Sequence, residues 1–169
     1  MNDSATPTSE ARTPAAAPNA ARPKSARRRA RELALQGLYE WQISRGEVGV
    51  ILSHMGEQDG HGQSDQGHLT RLLEGCIRDA VELDGHLQPH LDRRIQDLSP
   101  IEHAVLLIGV YELKHCVDVP YRVAINEAVE LAKSFGGTDG HKYVNGVLDR
   151  CAADLRPDEV ASVRTQRRR

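Results

Sequence analysis

Long apolar runs are missing from this chain of 169 residues. Nothing approaches the ~18 consecutive apolar residues that a membrane-spanning helix needs. No apolar run follows the N-terminal charges, so the start does not read as a secretory signal. Pro7, Pro14, Pro18 and Pro23 interrupt the amphipathic helix that an organellar transit peptide requires. Aromatics are scarce, with one Phe, one Trp and four Tyr. The core must therefore rest on Leu, Val, Ile and Ala, which suits helices. Cys76, Cys116 and Cys151 are an odd set without metal-ligand spacing, and reduced thiols in a cytoplasmic protein are the simplest reading. Alternating runs long enough for a strand are absent. Gly136-Gly137 lacks the spacing of a P-loop, and no glycine-rich dinucleotide motif follows a strand. His54, His61 and His68 fall in or beside a glycine-rich stretch and read as solvated rather than as metal ligands. His115 and Cys116 are helical neighbours that cannot face one another as base and nucleophile. The sequence thus points to no catalysis, no metal and no cofactor.

Charge is present and segregated. The formal net charge is only −2, yet residues 1–31 carry seven positive charges against two negative ones, a net of +5. Arg164, Arg167, Arg168 and Arg169 add +4 at the other end, which leaves −11 for residues 32–163. Basic ends on an acidic body imply a polyanionic partner for the ends.

The pattern along the chain is all-α, with six or seven helices in a bundle. Residues 1–25 form a Pro- and Ala-rich basic tail too poor in apolar groups to fold. A folded body spans 26–156, and 157–169 reads as a basic C-terminal tail after Pro157 stops the last helix. Ser25 caps a first helix to about Ser44, and a weaker helix covers 47–55. Residues 56–67 read as a mobile glycine-rich loop. Helical spacing returns at Leu69, Leu72, Leu73, Cys76 and Ala80, with a turn expected at Asp84-Gly85 and a short helix over 87–98. Ser99-Pro100-Ile101-Glu102 is a capping box with proline at the first helical position. The helix it opens is apolar almost all round, which places it at the centre of the core or at an interface. Pro120 opens the next helix, Gly136-Gly137 end it by the glycine signature, and the last helix follows from about Asp139. Asn126, Glu127 and Glu130 read as a solvated face.

The strongest functional signal is residues 24–31, Lys24-Ser25-Ala26-Arg27-Arg28-Arg29-Ala30-Arg31. At about 100° per residue, Arg27, Arg28 and Arg31 share a sector and Arg29 points elsewhere. Cations at a helix N-terminus oppose the helix dipole, a cost that arriving phosphates would offset. A solvated charge run is the competing interpretation.

Three segments carry a resemblance. They are residues 26–32 (ARRRARE) followed by Leu38-Tyr39, residues 118–133 (DVPYRVAINEAVELAK) and residues 142–149 (KYVNGVLD). Over about residues 24–156 the chain resembles the NusB family of bacterial transcription antitermination factors. The resemblance implies two packed three-helix subdomains, binding to the single-stranded boxA element of ribosomal RNA operon leaders, and a heterodimer with the small-subunit ribosomal protein NusE. It also implies a place beside NusA, NusG and RNA polymerase. On the RNA side it implicates Lys24, Arg27, Arg28, Arg29, Arg31, Tyr39, Asp139, Lys142 and Tyr143, with Asp139 restraining RNA affinity. Toward NusE it implicates Glu102 and Val105. Leu107 departs from relatives that carry a basic residue there. The RNA-binding domain of an rRNA-modifying methyltransferase and a purely protein-binding adaptor or homodimer are the other readings.

Overall fold

A computed structural model describes residues 24–168. Most of the N-terminal tail, with Arg12 and Arg22, and Arg169 lie outside the described residues. The order is α1 (Ala26–Ser44), α2 (Val48–Gly56), α3 (Gln66–Arg78), α4 (Ala80–Leu87), α5 (Pro100–His115), α6 (Tyr121–Phe135), α7 (Gly140–Leu155) and α8 (Pro157–Gln166), and no strand occurs among the described residues. The all-α expectation holds, with eight α-helices among the described residues where the sequence reads as six or seven.

The local signals act as read. Ser25 Oγ accepts from the Arg28 N–H at 3.1 Å. The α5 capping box closes from both sides, Ser99 Oγ accepting from Glu102 N–H and Glu102 from Ser99 N–H. Residues Ala104 through Leu113 are all buried, so α5 is the axis of the molecule. On one side α1 packs on α2 and α3. On the other α5, α6 and α7 pack on each other, and the α1–α5 contact joins the halves. Two glycines permit the closest approaches. A Cβ on Gly75 would lie 2.2 Å from Tyr111 Cε2, and one on Gly109 2.6 Å from Leu148 Cδ1, so α3–α5 and α5–α7 pack closely at these glycines.

Five local expectations are corrected. Residues 56–67 are ordered by tertiary contact: a 3-10 turn covers 61–63, the Asp65 N–H donates to Ala26 O at 3.0 Å, and Asp65 caps α3 through His68 N–H. The α3–α4 break falls at Asp79, while Asp84 and Gly85 lie inside α4, whose buried Leu83 and Leu87 hold it helical. Residues 87–98 form two 3-10 turns, 88–90 and 95–97, rather than one helix. Gly136 does end α6, but at φ −88° rather than in the left-handed region. Pro157 opens α8 instead of ending the fold, so the expected tail 157–169 is helical to Gln166 and buries Val160.

Candidate nucleic-acid interface

The first turns of α1 bring Lys24, Arg27, Arg28 and Arg29 to one end of the bundle, beside the C-terminal end of α5. Each cation but Arg29 meets an acid, from α1 itself for Lys24 and from other segments for Arg27 and Arg28. Lys24 pairs with Glu32 at 2.7 Å. Arg27 reaches Asp65 at 3.4 Å and Asp118 at 3.3 Å. Arg28 holds Glu127 of α6 through two bonds of 3.0 Å, so Glu127 is an anchor and not a solvated acid. The Glu127 bond raises the Arg28 pKa. The His68 backbone N–H, followed by Arg27, holds Asp65 below the usual carboxylate range. These pairs stand at or near the surface, where a salt bridge is worth ~0–1 kcal/mol, so phosphate can displace them at small cost. Arg29 has no ion pair among the described residues. It lines an open cavity of about 490 Å³ with Lys24, Glu32 and Asp59.

Arg31 is the exception, and its assignment to RNA is corrected. Its side chain is 5% exposed and binds Glu112 at 2.6 and 3.0 Å, while His68 lies 3.3 Å from the same carboxylate. His68 is therefore a buried partner rather than a solvated histidine. Burial opposes the charge on Glu112, but His68 and Arg31 outweigh it and its pKa is lowered. Two sequence signals mark the pair. Arg31 precedes Leu35 and Leu38 by four and seven residues, which puts it on the core stripe. Glu112 is an acid deep inside an otherwise apolar helix.

Tyr39 lies eleven residues after Arg28, which places it three turns and roughly 16 Å along the same face. It is 42% exposed, open for stacking. The other expected RNA residues sit elsewhere. Asp139, Lys142 and Tyr143 occupy the start of α7, over the start of α5, where Gly140 approaches Glu102. The ten residues from Glu102 to Glu112 put this cluster about 15 Å along α5 from the Arg31 pair. Asp139 has φ 63°, pairs with Lys142 at 3.2 Å and makes no side-chain cap on α7, although it stands at the N-cap position. Tyr143 Oη donates to Asp92 at 2.9 Å and Arg93 lies 4.5 Å over the ring, which covers one stacking face. Desolvation, then the Asp92 bond, raises its pKa.

On the expected partner side, Glu102 is surface-accessible within its capping box, but Val105 is fully buried. Its assignment to a partner contact is corrected: α5 turns Val105 into the core. Beside Glu102 a cleft of about 530 Å³ is lined by Trp41, Ile43, Val81, Pro100 and His103. Val81 is 89% and Ile43 64% exposed there. No group of three metal-ligating side chains occurs among the described residues. Sequence reasoning also missed Arg156, whose buried guanidinium donates to Leu113, Val119, Glu112 and Cys116 carbonyls. Its neighbour Pro157 drew attention, but nothing local signals four carbonyls brought from α5 and the loop behind it.

Residues 28–153 match the NusB family. The chain is 54% identical over 154 residues to the transcription antitermination protein NusB of Cupriavidus pinatubonensis, covering 91% of this chain and 90% of the relative. It is 57% identical over 142 residues to the protein of the same description from Ralstonia nicotianae, covering 84% and 92%. Among solved structures, NusB of T. maritima superposes with a TM-score of 0.72 at 28% identity, covering 82% of this chain and 99% of that one. A structure of antitermination factors NusB and NusE in complex with dsRNA matches with a TM-score of 0.69 at 25% identity, covering 75% and 96%.

Proposed function

The chain belongs to the NusB family, and from that premise we propose that it is an RNA-binding transcription antitermination factor, not an enzyme. It takes boxA RNA of ribosomal operon leaders together with NusE, and through them joins NusA, NusG and RNA polymerase in the cytoplasm. The observation that carries this reading is the exposed cationic end of α1. Lys24, Arg27, Arg28 and Arg29 lie there although the dipole disfavours them, and the acids that hold Lys24, Arg27 and Arg28 are replaceable. Single-stranded RNA fits that end, because its phosphates meet the guanidiniums while unstacked bases reach Tyr39. We assign the NusE side to Glu102 and the apolar cleft beside it, where Val81 and Ile43 stand exposed; the relative solved with NusE favours a heterodimer over a homodimer. The net negative charge of the body disfavours RNA on its acidic faces.

A mobility shift on boxA RNA against a scrambled control, with and without NusE, tests the proposal. Arg27→Ala with Arg28→Ala should weaken boxA binding and lower its log–log salt slope by roughly 0.7 for each phosphate no longer held. Equal affinity for both RNAs in the presence of NusE, or an unchanged slope in the double variant, overturns it.

A further inference from the structure

We propose that the groove between α6, α7 and α8 holds a second stretch of single-stranded RNA, contiguous with the one bound by α1. This rests on the RNA-binding reading above. The groove has a volume of about 560 Å³ and is lined by Arg122 and Asn126 of α6, Asn145 and Asp149 of α7, Arg164 of α8 and the following Arg167.

Its third wall is fixed in place. Arg156 donates to four backbone carbonyls and to Glu159 at 3.0 Å, and Glu159 in turn accepts from the Tyr121 N–H at 2.9 Å. The start of α8 is thereby tied to the start of α6, and Val160 is buried beneath it. Arg164 and Arg167 therefore face Arg122 as parts of a built surface.

Among the described residues, no carboxylate lies within 4.0 Å of the nitrogens of Arg122, Arg164 or Arg167, unlike the arginines of α1 that meet Asp65, Asp118 and Glu127. Arg164 and Arg167 alone could be explained as cations at a helix C-terminus. Arg122 cannot, since it stands in the first turn of α6, where the dipole opposes it. Three guanidiniums lining one groove, none of them in contact with its one carboxylate, Asp149, favour an anion there. Asn126 and Asn145 are exposed, with no hydrogen bond to another described side chain. Their carboxamides offer a paired donor and acceptor, suited to a base edge. The apolar lining residue Ile125 is 3% exposed, and the Tyr121 beside it 7%, so an acidic peptide would find no apolar anchor here.

Continuity supplies the direction. Arg122 and Asn126 are one turn apart on α6, and the next residue, Glu127, is the one that holds Arg28. A strand leaving Arg28 crosses α6 at that point and enters the groove. Asp149 repels phosphate from the α7 side, which leaves the backbone on the Arg122–Arg164–Arg167 side and the bases toward the asparagines.

The full chain is tested with two RNAs, minimal boxA and boxA extended on both sides by unstructured nucleotides. The wild type should bind the extended RNA about ten-fold more tightly at 0.1 M salt, with a slope larger by roughly 1.4 for two further phosphates engaged. Arg164→Gln with Arg167→Gln should abolish that advantage and leave the minimal RNA unaffected. Asn126→Ala with Asn145→Ala, which keeps every charge, should reduce the advantage without changing the slope, and decides the matter if the arginine variant does not fold. An absent advantage in the wild type, an advantage retained in both variants, or an equal loss for both RNAs overturns the proposal. So does loss of NusE binding with RNA binding unchanged, which would make the groove a protein surface. Failure of the wild type to bind even minimal boxA counts against the RNA reading itself.

Discussion

Replacing Arg31 by alanine should damage the fold, whereas replacing Arg28, three residues earlier, should not. Arg31 is 5% exposed and Glu112 1%, and they share two bonds of 2.6 and 3.0 Å. Arg31→Ala leaves Glu112 buried with only His68 at 3.3 Å. Removing one partner of a buried ion pair costs about 3–5 kcal/mol, and for a domain of this size that lowers the thermal midpoint on the order of 10 °C. Arg28 stands 38% exposed, and losing its pair with Glu127 should cost under ~1 kcal/mol. The pH profile adds a second check. Glu112 titrates below the ordinary 4.5 in the folded protein. Its stabilisation is therefore complete above that value and is lost as pH falls through the depressed folded pKa. The deficit of Arg31→Ala should thus be constant near neutral pH and narrow under acid conditions. Urea unfolding of both variants across pH measures it. An Arg31→Ala protein within ~1 kcal/mol of wild type at pH 7 refutes the buried-pair argument and returns Arg31 to the RNA face.

Three further outcomes are expected. Asp139→Asn should bind boxA RNA more tightly at low salt with no loss of thermal midpoint, since Asn also tolerates the left-handed backbone; Asp139→Gly should be at least as stable as wild type, and weaker RNA binding by the Asn variant would show that the carboxylate is a favourable contact. Glu102→Lys should lose NusE affinity in calorimetry while costing the fold only about 1 kcal/mol, the scale of a helix cap, and normal NusE affinity would move the partner face elsewhere. Gly75→Ala should destabilise by at least ~1–3 kcal/mol through overpacking against Tyr111, whereas Gly85→Ala, with open space at its Cβ, should stabilise α4 by up to ~1 kcal/mol; similar unfolding midpoints for the two would contradict the α3–α5 packing.

What could be read in advance was written locally. Ser25, the Ser99–Glu102 capping box and Pro120 each set a helix start through neighbours within four residues, and each start lies where the sequence places it. The all-apolar run of α5 announced the buried axis. What escaped depends on partners distant in sequence. Residues 56–65 look unstructured until Asp65 bonds Ala26 and pairs with Arg27. The helix α8 has one buried residue and runs into Arg167-Arg168-Arg169, so its composition resembles a tail. The carbonyls gathered around Arg156, from residues about forty positions earlier, and the Glu159 bond to the Tyr121 N–H make it part of the fold. The site divides in the same way. Arg27, Arg28 and Arg29 were legible as a charge cluster, but the inward turn of Arg31 required its complement on α5, 81 residues away.

The acids among the arginines also explain how an acidic body can present a basic end. A cluster of bare guanidiniums at the start of α1 would repel one another and the helix dipole, and would sample many rotamers. Asp65, Asp118 and Glu127 come from the α3 cap, the α5–α6 loop and α6 in turn, so each arginine is held only when the three elements are docked. Folding therefore sets the spacing of the cations before any RNA arrives, and reduces the entropy lost on binding. The same acids weaken the net attraction for random polyanions, because phosphate must displace a carboxylate at each position rather than meet a free charge. Arg29, on another side of the helix, and Arg122, Arg164 and Arg167 across α6 have no carboxylate in contact among the described residues and escape that competition. The paired arginines instead favour a ligand able to engage several of them together.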